Sequence, residues 1–262
     1  MEKMGSMKKI TDTLRYNYQA VILFFAIIGF WQFIVYALKI PFFLLPPPSS
    51  IFNALVEKLA DGFLLYHAQV TLYETISGFF IGTILGIGLA LLVDRSRFLN
   101  HLLHPYIVAF QAMPKMALAP LIVVWFGFGL SSKIAMATFI SFFPIFVNSL
   151  AGLESLSVKI QDLMHSISAT GTQIFIKAKL PNALPYIFAG LETGILLSLL
   201  GSVVGEFVGA NEGLGYLILL WNTKLDTQYG FAALAMMVVI GIFLYLTLNT
   251  VRRRVLFWSE KI

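Results

Sequence analysis

Residues 70–93 read VTLYETISGFFIGTILGIGLALLV, a run with one ionisable side chain, Glu74. An α-helix rises about 1.5 Å per residue, so a run this long spans the roughly 30 Å hydrocarbon core of a bilayer. Gly78, Gly82 and Gly86 recur every fourth residue and form a ridge on one helix face. In lipid, where packing drives helix association, such a ridge lets another backbone approach closely. Gly201, Gly205 and Gly209 form a second ridge. Packing within one bundle and a face between two copies both remain open.

Five further apolar runs lie at residues 20–38, 106–128, 134–153, 187–208 and 231–248. Together the six predict an all-α integral membrane protein in a single domain, residues 1–262, with a tail at 1–19. The first run is too long for a cleaved leader and lacks a small-residue cleavage site after it. Composition agrees: 58% of the 262 residues are hydrophobic, 12% are charged, and mean hydropathy is +0.84. A soluble domain carries about 25% charged residues, so an ordinary soluble enzyme and a disordered chain are excluded. The net charge of +5 is scattered at the ends of apolar runs; nucleic-acid binding would need a basic stripe. With no Cys and only four His, thiolate chemistry and a structural metal site are not expected.

Lys and Arg orient the spans. With the first residues in the cytoplasm, inside segments carry 13 cations and outside segments four, Lys39, Lys58, Lys133 and Lys224. Lys115 lies within a span. Both termini are therefore expected in the cytoplasm. Outside loop 41–69 carries Pro46-Pro47-Pro48-Ser49-Ser50, where Ser49 or Ser50 can cap a short amphipathic helix with Ile51, Leu55, Val56 and Leu59 on one side. Outside loop 210–230 contains Gly213-Leu214-Gly215.

No Gly-Lys pair occurs, so a phosphate-cradling loop of the G-x-x-x-x-G-K-[ST] type is absent. ATP-driven work would need a partner's ATPase. The third run is interrupted by Gln111-Ala112-Met113-Pro114-Lys115-Met116-Ala117-Leu118-Ala119-Pro120. Each proline removes a backbone hydrogen bond, and broken helices at membrane depth line water-filled pathways or pack inside protein. Pro144 is expected to kink the fourth span. Charges inside spans usually pair or face a cavity; these are Glu74, Lys115, Glu192 and Glu206, and Glu74 and Lys115 could pair with one another.

Inside loop 154–185 predicts two short helices. Val158, Ile160, Leu163 and Ile167 give one apolar face; Ile174, Phe175 and Ala178 give another; Thr170-Gly171-Thr172 separates them. Leu180-Pro181 and Leu184-Pro185 are expected to stop the second helix. Such a helix-turn-helix could offer a short helix to a soluble partner.

LPPPSSIFNALVEKL at 45–59, QAMPKMALAPLIVVWFGFGLSSK at 111–133, FFPIFVN at 142–148 and GEFVGANEGLGYLI at 205–218 together resemble the membrane subunit of bacterial ABC importers. The branch is the one handling nitrate, sulfonates, taurine, bicarbonate or pyrimidine precursors. The resemblance covers roughly residues 40–258. It implies a type I importer permease bundle of six helices with a cytoplasmic coupling helix. The family's loop pattern is Glu-Ala-Ala, three residues, Gly, then twelve residues to Leu-Pro. Ending it at Leu180-Pro181 puts the acidic position on Asp162, the alanines on Leu163 and Met164, and the glycine on Ser168. A second register would use Gly171 and Pro185.

The resemblance implies that Asp162, His165, Ser166, Ile167, Ser168, Ala169, Thr170 and Gly171 contact the ATPase. Partners would be two ABC ATPase copies, a second permease copy forming a homodimer, a soluble substrate-binding protein and the lipid bilayer, with no nucleic acid. ATP and Mg would bind on the ATPase, and this chain would bind no cofactor and perform no catalysis. The location would be the bacterial inner membrane. Gln111, Met113, Met116, Asn148 and Glu206 are expected to line the translocation pathway. The alternative is an ion-coupled secondary transporter using Glu74, Glu192 and Glu206 as relays; an intramembrane enzyme lacks any nucleophile–base constellation.

Overall fold

The computed structural model describes residues 2–258, with the backbone alone at 2–17, 20, 97, 104 and 108. Lys261 lies outside the described residues. Eleven α-helices make up most of the chain among the described residues: α1 (Glu2–Ala37), α2 (Pro48–Ala60), α3 (Phe63–Arg95), α4 (Arg97–Ala112), α5 (Ala119–Phe126), α6 (Leu130–Glu154), α7 (Val158–Ser166), α8 (Gly171–Ile174), α9 (Leu180–Gly209), α10 (Leu214–Thr223) and α11 (Thr227–Val255). A 3₁₀ turn, Lys115–Leu118, joins α4 to α5, and a π-helical segment, Phe175–Lys179, joins α8 to α9.

Four helical runs are long and apolar enough to cross a membrane: α3, α6, the run Gly171–Gly209 and α11. The α4–α5 pair is a fifth only if its two halves, bent by 89°, count as one span. The apolar part of α1, Val21–Ala37, is 17 residues long, at the lower limit for a crossing. Phe25 and Phe33 on α1 and Val238 and Phe243 on α11 are all more than half exposed. Large apolar side chains turned outward in this way suit a lipid surface.

The core is α6 held between α3 and α9. Gly78, Gly82, Gly86, Gly201 and Gly205 face it, while Gly209 packs on Phe128 ahead of α6. A Cβ on Gly201 would lie 2.7 Å from Ala137 Cα, and one on Gly78 would lie 2.9 Å from Thr138 N. Ala137 is thus gripped from both sides, and the ridges serve packing inside this chain. Lower along the bundle, a Cβ on Gly190 would meet Asn148 Cβ at 2.9 Å and one on Gly152 would meet Tyr186 Cβ at 2.6 Å. Backbone-to-backbone approach of this kind gains dispersion contacts that larger side chains would hold apart.

Several local expectations change. α2 begins at Pro48 with Pro47 as its cap, because proline suits the first helical turn, where its N–H would have no partner. Ser49 instead ties α2 to α1. Its N–H donates to Gln32 Oε1 at 3.1 Å, and Gln32 Nε2 donates back to its hydroxyl at 2.9 Å. Of the two prolines in the third run, only Pro114 breaks the helix; Pro120 sits in the first turn of α5, where it is tolerated. Pro144 lies inside an uninterrupted α6. Leu180-Pro181 does not stop the helix, because Gly171–Gly209 is one helical run. The widened π turn just precedes Pro181, whose missing N–H deprives the carbonyl four residues earlier of its α-helical partner.

Candidate functional site

At one end of the bundle, residues 154–185 run from the last residue of α6 to the first turns of α9. α7 and α8 are separated by a turn at residues 167–170. Thr170 starts α8 with a capping box: Gln173 N–H donates to Thr170 Oγ1 at 3.3 Å, and Thr170 N–H donates to Gln173 Oε1 at 2.8 Å. Ser166 Oγ donates to Leu163 O at 2.8 Å. Ser168 has φ +56, in the left-handed region that glycine adopts without steric cost. That is the position where the first register of the family pattern calls for glycine.

The predicted tip residues are together in space. His165, Ser166, Ile167, Ser168, Thr170 and Gly171 are exposed, with Ala169 half-buried and Asp162 exposed on α7. Val158, Leu163 and Ile167 are each more than 60% exposed and give the loop an uncovered apolar surface.

Both feet of the loop are tied to the corner between α3 and α4. At the exit of α6, Asn100 Nδ2 donates to Glu154 Oε1. At the entry to α9, Lys179 Nζ lies 2.6 Å from Asp94 Oδ1, with the Asp94 side chain 9% exposed. Asn182 Nδ2 also donates to Ser155 Oγ at 2.7 Å, joining the feet to one another. Asp94, Asn100 and Lys179 do not stand out in the sequence. The only signal was a lone acid and a lone amide at the two sides of a helix break.

A cavity of about 850 Å³ opens between α3, the broken α4–α5 pair and α6. Aromatic and aliphatic side chains share its walls, the rings including Phe110, Trp125, Phe139, Phe142 and Phe143. Lys115 projects into it from the 3₁₀ turn, with Nζ 5.0 Å from the centroid of the Phe143 ring. The expected Glu74–Lys115 pair does not form. Glu74 is 2% exposed and lies beside Glu206 and Lys133.

Of the residues expected on a pathway, Gln111, Met113 and Met116 flank the break beside this cavity, with Gln111 and Met116 exposed. Asn148 and Glu206 are not among the residues lining this cavity. Asn148 Nδ2 donates to Pro144 O at 2.8 Å, and its Cβ packs where α9 approaches at Gly190. Glu206 is 1% exposed. One oxygen accepts the Thr71 hydroxyl at 2.7 Å; the other accepts the N–H groups of Gly215 and Tyr216. Leu214 N–H donates to Thr71 Oγ1 at 2.8 Å, and Gly213 N–H donates to His67 Nδ1 at 2.9 Å. Four amides at the start of α10, which a helix leaves without partners, are thus all satisfied by buried side chains. Gly213 has φ +103, and the Glu206 carboxyl fills the space a Cβ would need.

The other membrane-depth charges are also engaged. Glu192 accepts both of its bonds from Arg252 at 3.1 Å, tying α9 to α11. Lys133 is 3% exposed and donates to Gly209 O at 2.8 Å, at the end of α9. It is therefore an internal cation, which lowers the outside count to three. At the end opposite the loop, Lys58 bridges Glu57 at 2.9 Å and Asp61 at 3.1 Å, while Tyr229 donates to Glu57 at 3.0 Å. The Lys58 hydrogen bond is the main reason the Glu57 carboxyl sits below its ordinary range, and the Phe63 N–H does the same for Asp61.

Residues 82–260 match the family described as "Binding-protein-dependent transport system inner membrane component". The chain is 35% identical over 229 residues to a "Probable ABC transporter permease protein" of Haemophilus influenzae, covering 87% of this chain and 92% of that one. It is 32% identical over 251 residues to the "Formylaminopyrimidine transport permease protein ThiX" of Halalkalibacterium halodurans, covering 95% of this chain and 100% of that one. Among solved structures, its fold resembles an inward-facing MetNI methionine ABC transporter chain, with a TM-score of 0.64 and 21% identity over 73% of this chain and 95% of that chain.

Proposed function

The chain belongs to the binding-protein-dependent transport system inner membrane component family, as the permease subunit of an ATP-driven ABC importer, and from that premise we propose how it works. It is a multi-pass inner membrane protein, and hydrolysis of ATP belongs to a separate subunit. Two copies of this chain form the membrane unit, each contacting one ATPase through residues 154–185, and the chain itself performs no catalysis. Both termini lie in the cytoplasm. The observation that carries this reading is the loop itself: an exposed apolar tip on two feet clamped to the bundle. ATPase closure pushes on the tip, and the clamped feet pass the displacement to α3, α4, α6 and α9 as a rigid-body movement.

Asp162 and residues 165–171 make the ATPase contact. Ser168 in the left-handed region supports the register in which it replaces the family's glycine. Gln111, Met113 and Met116 line the pathway at the helix break. A soluble binding protein docks at the opposite end, on the surface formed by α2 and residues 210–230. The substrate is a small organic solute, in keeping with relatives named for formylaminopyrimidine, riboflavin and taurine.

The test is co-purification with the neighbouring ATPase, comparing the native chain with Ile167→Asp. A buried carboxylate in an apolar contact costs several kcal/mol unless paired, so the variant should lose the ATPase or hydrolyse ATP without uptake. Normal coupled uptake by Ile167→Asp would remove the loop from this role.

A further inference from the structure

Lys115 is at the middle of the bundle's thickness. The ring beneath it, Phe143, is the fourteenth of the 25 residues of α6. A cation at that depth is expensive and persists where it meets a counter-charge or a water-filled space. No carboxylate lines the cavity among the described residues, and Lys115 stands over the Phe143 ring face. Lys133, near the start of α6, is already bonded to Gly209 O at the end of α9. Thr138 offers a second polar group on the same wall: its buried hydroxyl has no hydrogen-bond partner among the described residues. Apart from these two, only Tyr106, Trp125 and Ser131 among the described residues bring a polar side-chain atom to walls otherwise built of aromatic and aliphatic groups.

We infer that Lys115 is a recognition group for the transported solute, and that the solute is a small planar organic anion whose ring lies among the aromatic walls. This rests on the pathway reading above and adds the chemical class. The physical argument is complementarity. An ammonium held over a ring face by a cation–π contact of about 0.5–2 kcal/mol gives up little when an anion replaces that contact. An apolar aromatic wall favours a flat ring by offset stacking. A neutral polar solute would find few hydrogen-bonding groups here, and a second cation would be repelled.

The chain contains no cysteine, so a single introduced thiol reports the cavity directly. Thr138→Cys and, nearer its rim, Ser131→Cys are purified with the ATPase. Each is treated with anionic sulfonatoethyl and cationic trimethylammonioethyl methanethiosulfonate, with rates normalised to a free thiol. The anionic reagent should react roughly tenfold faster than the cationic one, as a unit charge a few ångströms away dictates. Lys115→Gln should erase that preference. Benzenesulfonate, as a flat anionic probe, should slow labelling severalfold with Lys115 present and not in Lys115→Gln.

If neither reagent reacts at either position, lipid or a second copy of the chain fills the cavity and the inference is overturned. Reaction without charge preference overturns it equally. Loss of the ATPase during purification would count instead against the permease assembly, since the reagent ratio reads the cavity alone.

Discussion

Lys179 Nζ and Asp94 Oδ1 are 2.6 Å apart across 85 residues of chain, closing the last turn of α3 onto the widened π turn that leads out of the loop. A charged hydrogen bond at a partly buried site is worth about 1.5–3 kcal/mol. Its place between loop and bundle gives it a transmission role as well. Asp94→Asn should therefore leave ATPase binding intact while lowering solute transported per ATP hydrolysed. The reciprocal exchange, Asp94→Lys with Lys179→Asp, should recover part of that ratio. An unchanged ratio in Asp94→Asn would show that the pair only stabilises the fold.

Glu206 holds the start of α10 through Gly215 and Tyr216 while Thr71 fixes its other oxygen. Glu206→Gln keeps the shape but turns an amide donor toward one of these donors. Leaving a buried donor unmet costs about 1–3 kcal/mol. Thermal unfolding of the detergent-solubilised complex should shift down measurably in Glu206→Gln and further in Glu206→Ala. Uptake should fall only as far as folded protein falls.

Ser168 occupies a left-handed conformation at φ +56. A side chain there costs roughly 1 kcal/mol that glycine avoids. Ser168→Gly should raise the melting temperature slightly or leave it unchanged, with coupling retained. Ser168→Val, β-branched in the same conformation, should be destabilising and weaken ATPase binding. Comparable melting curves for the two variants would show that the turn relaxes at no cost.

Glu57 and Asp61 are held below their ordinary values, the first mainly by Lys58 and the second mainly by the Phe63 N–H. A carboxylate with a depressed folded pKa stabilises above its unfolded value and loses that contribution as pH falls through the folded one. Protection of the α2 amides from hydrogen exchange, corrected for the intrinsic rate at each pH, should accordingly fall below about pH 4 and stay flat near neutrality, where both groups are ionised in either state. Lys58→Met should remove the share of that change carried by Glu57 and leave the share that Asp61 owes to the Phe63 N–H. A loss of that protection between neutral and alkaline pH alone would contradict the assignment.

Much of the fold was readable because lipid imposes length and composition on each span. Residues 70–93 and 187–208 fall inside α3 and α9 for that reason. The α4–α5 bend was readable as two prolines, but which one breaks the helix depends on where the next helix begins, and Pro120 starts α5. The two short helices of the loop were legible from their apolar spacing, whereas the left-handed turn at Ser168 and the start of α8 at Gly171 show only in the fold. Its clamps were not, since Asp94 meets Lys179 and Asn100 meets Glu154 only once four helices are packed.

Residue order and chemistry are enough to establish that the chain lives in a membrane, carries no nucleotide-cradling loop and presents a long segment at one end of the bundle. Those conclusions follow from periodicity, apolar length and side-chain type, which act locally. The roles of the rare charges emerge only when the helices pack. The bonds by which Glu206 caps α10 cannot be read along the chain; Lys115 reads as a partner for Glu74, yet it stands over Phe143 in an apolar cavity. A charge inside a bilayer must find a partner, and which one it finds is set by helix packing between segments far apart in sequence.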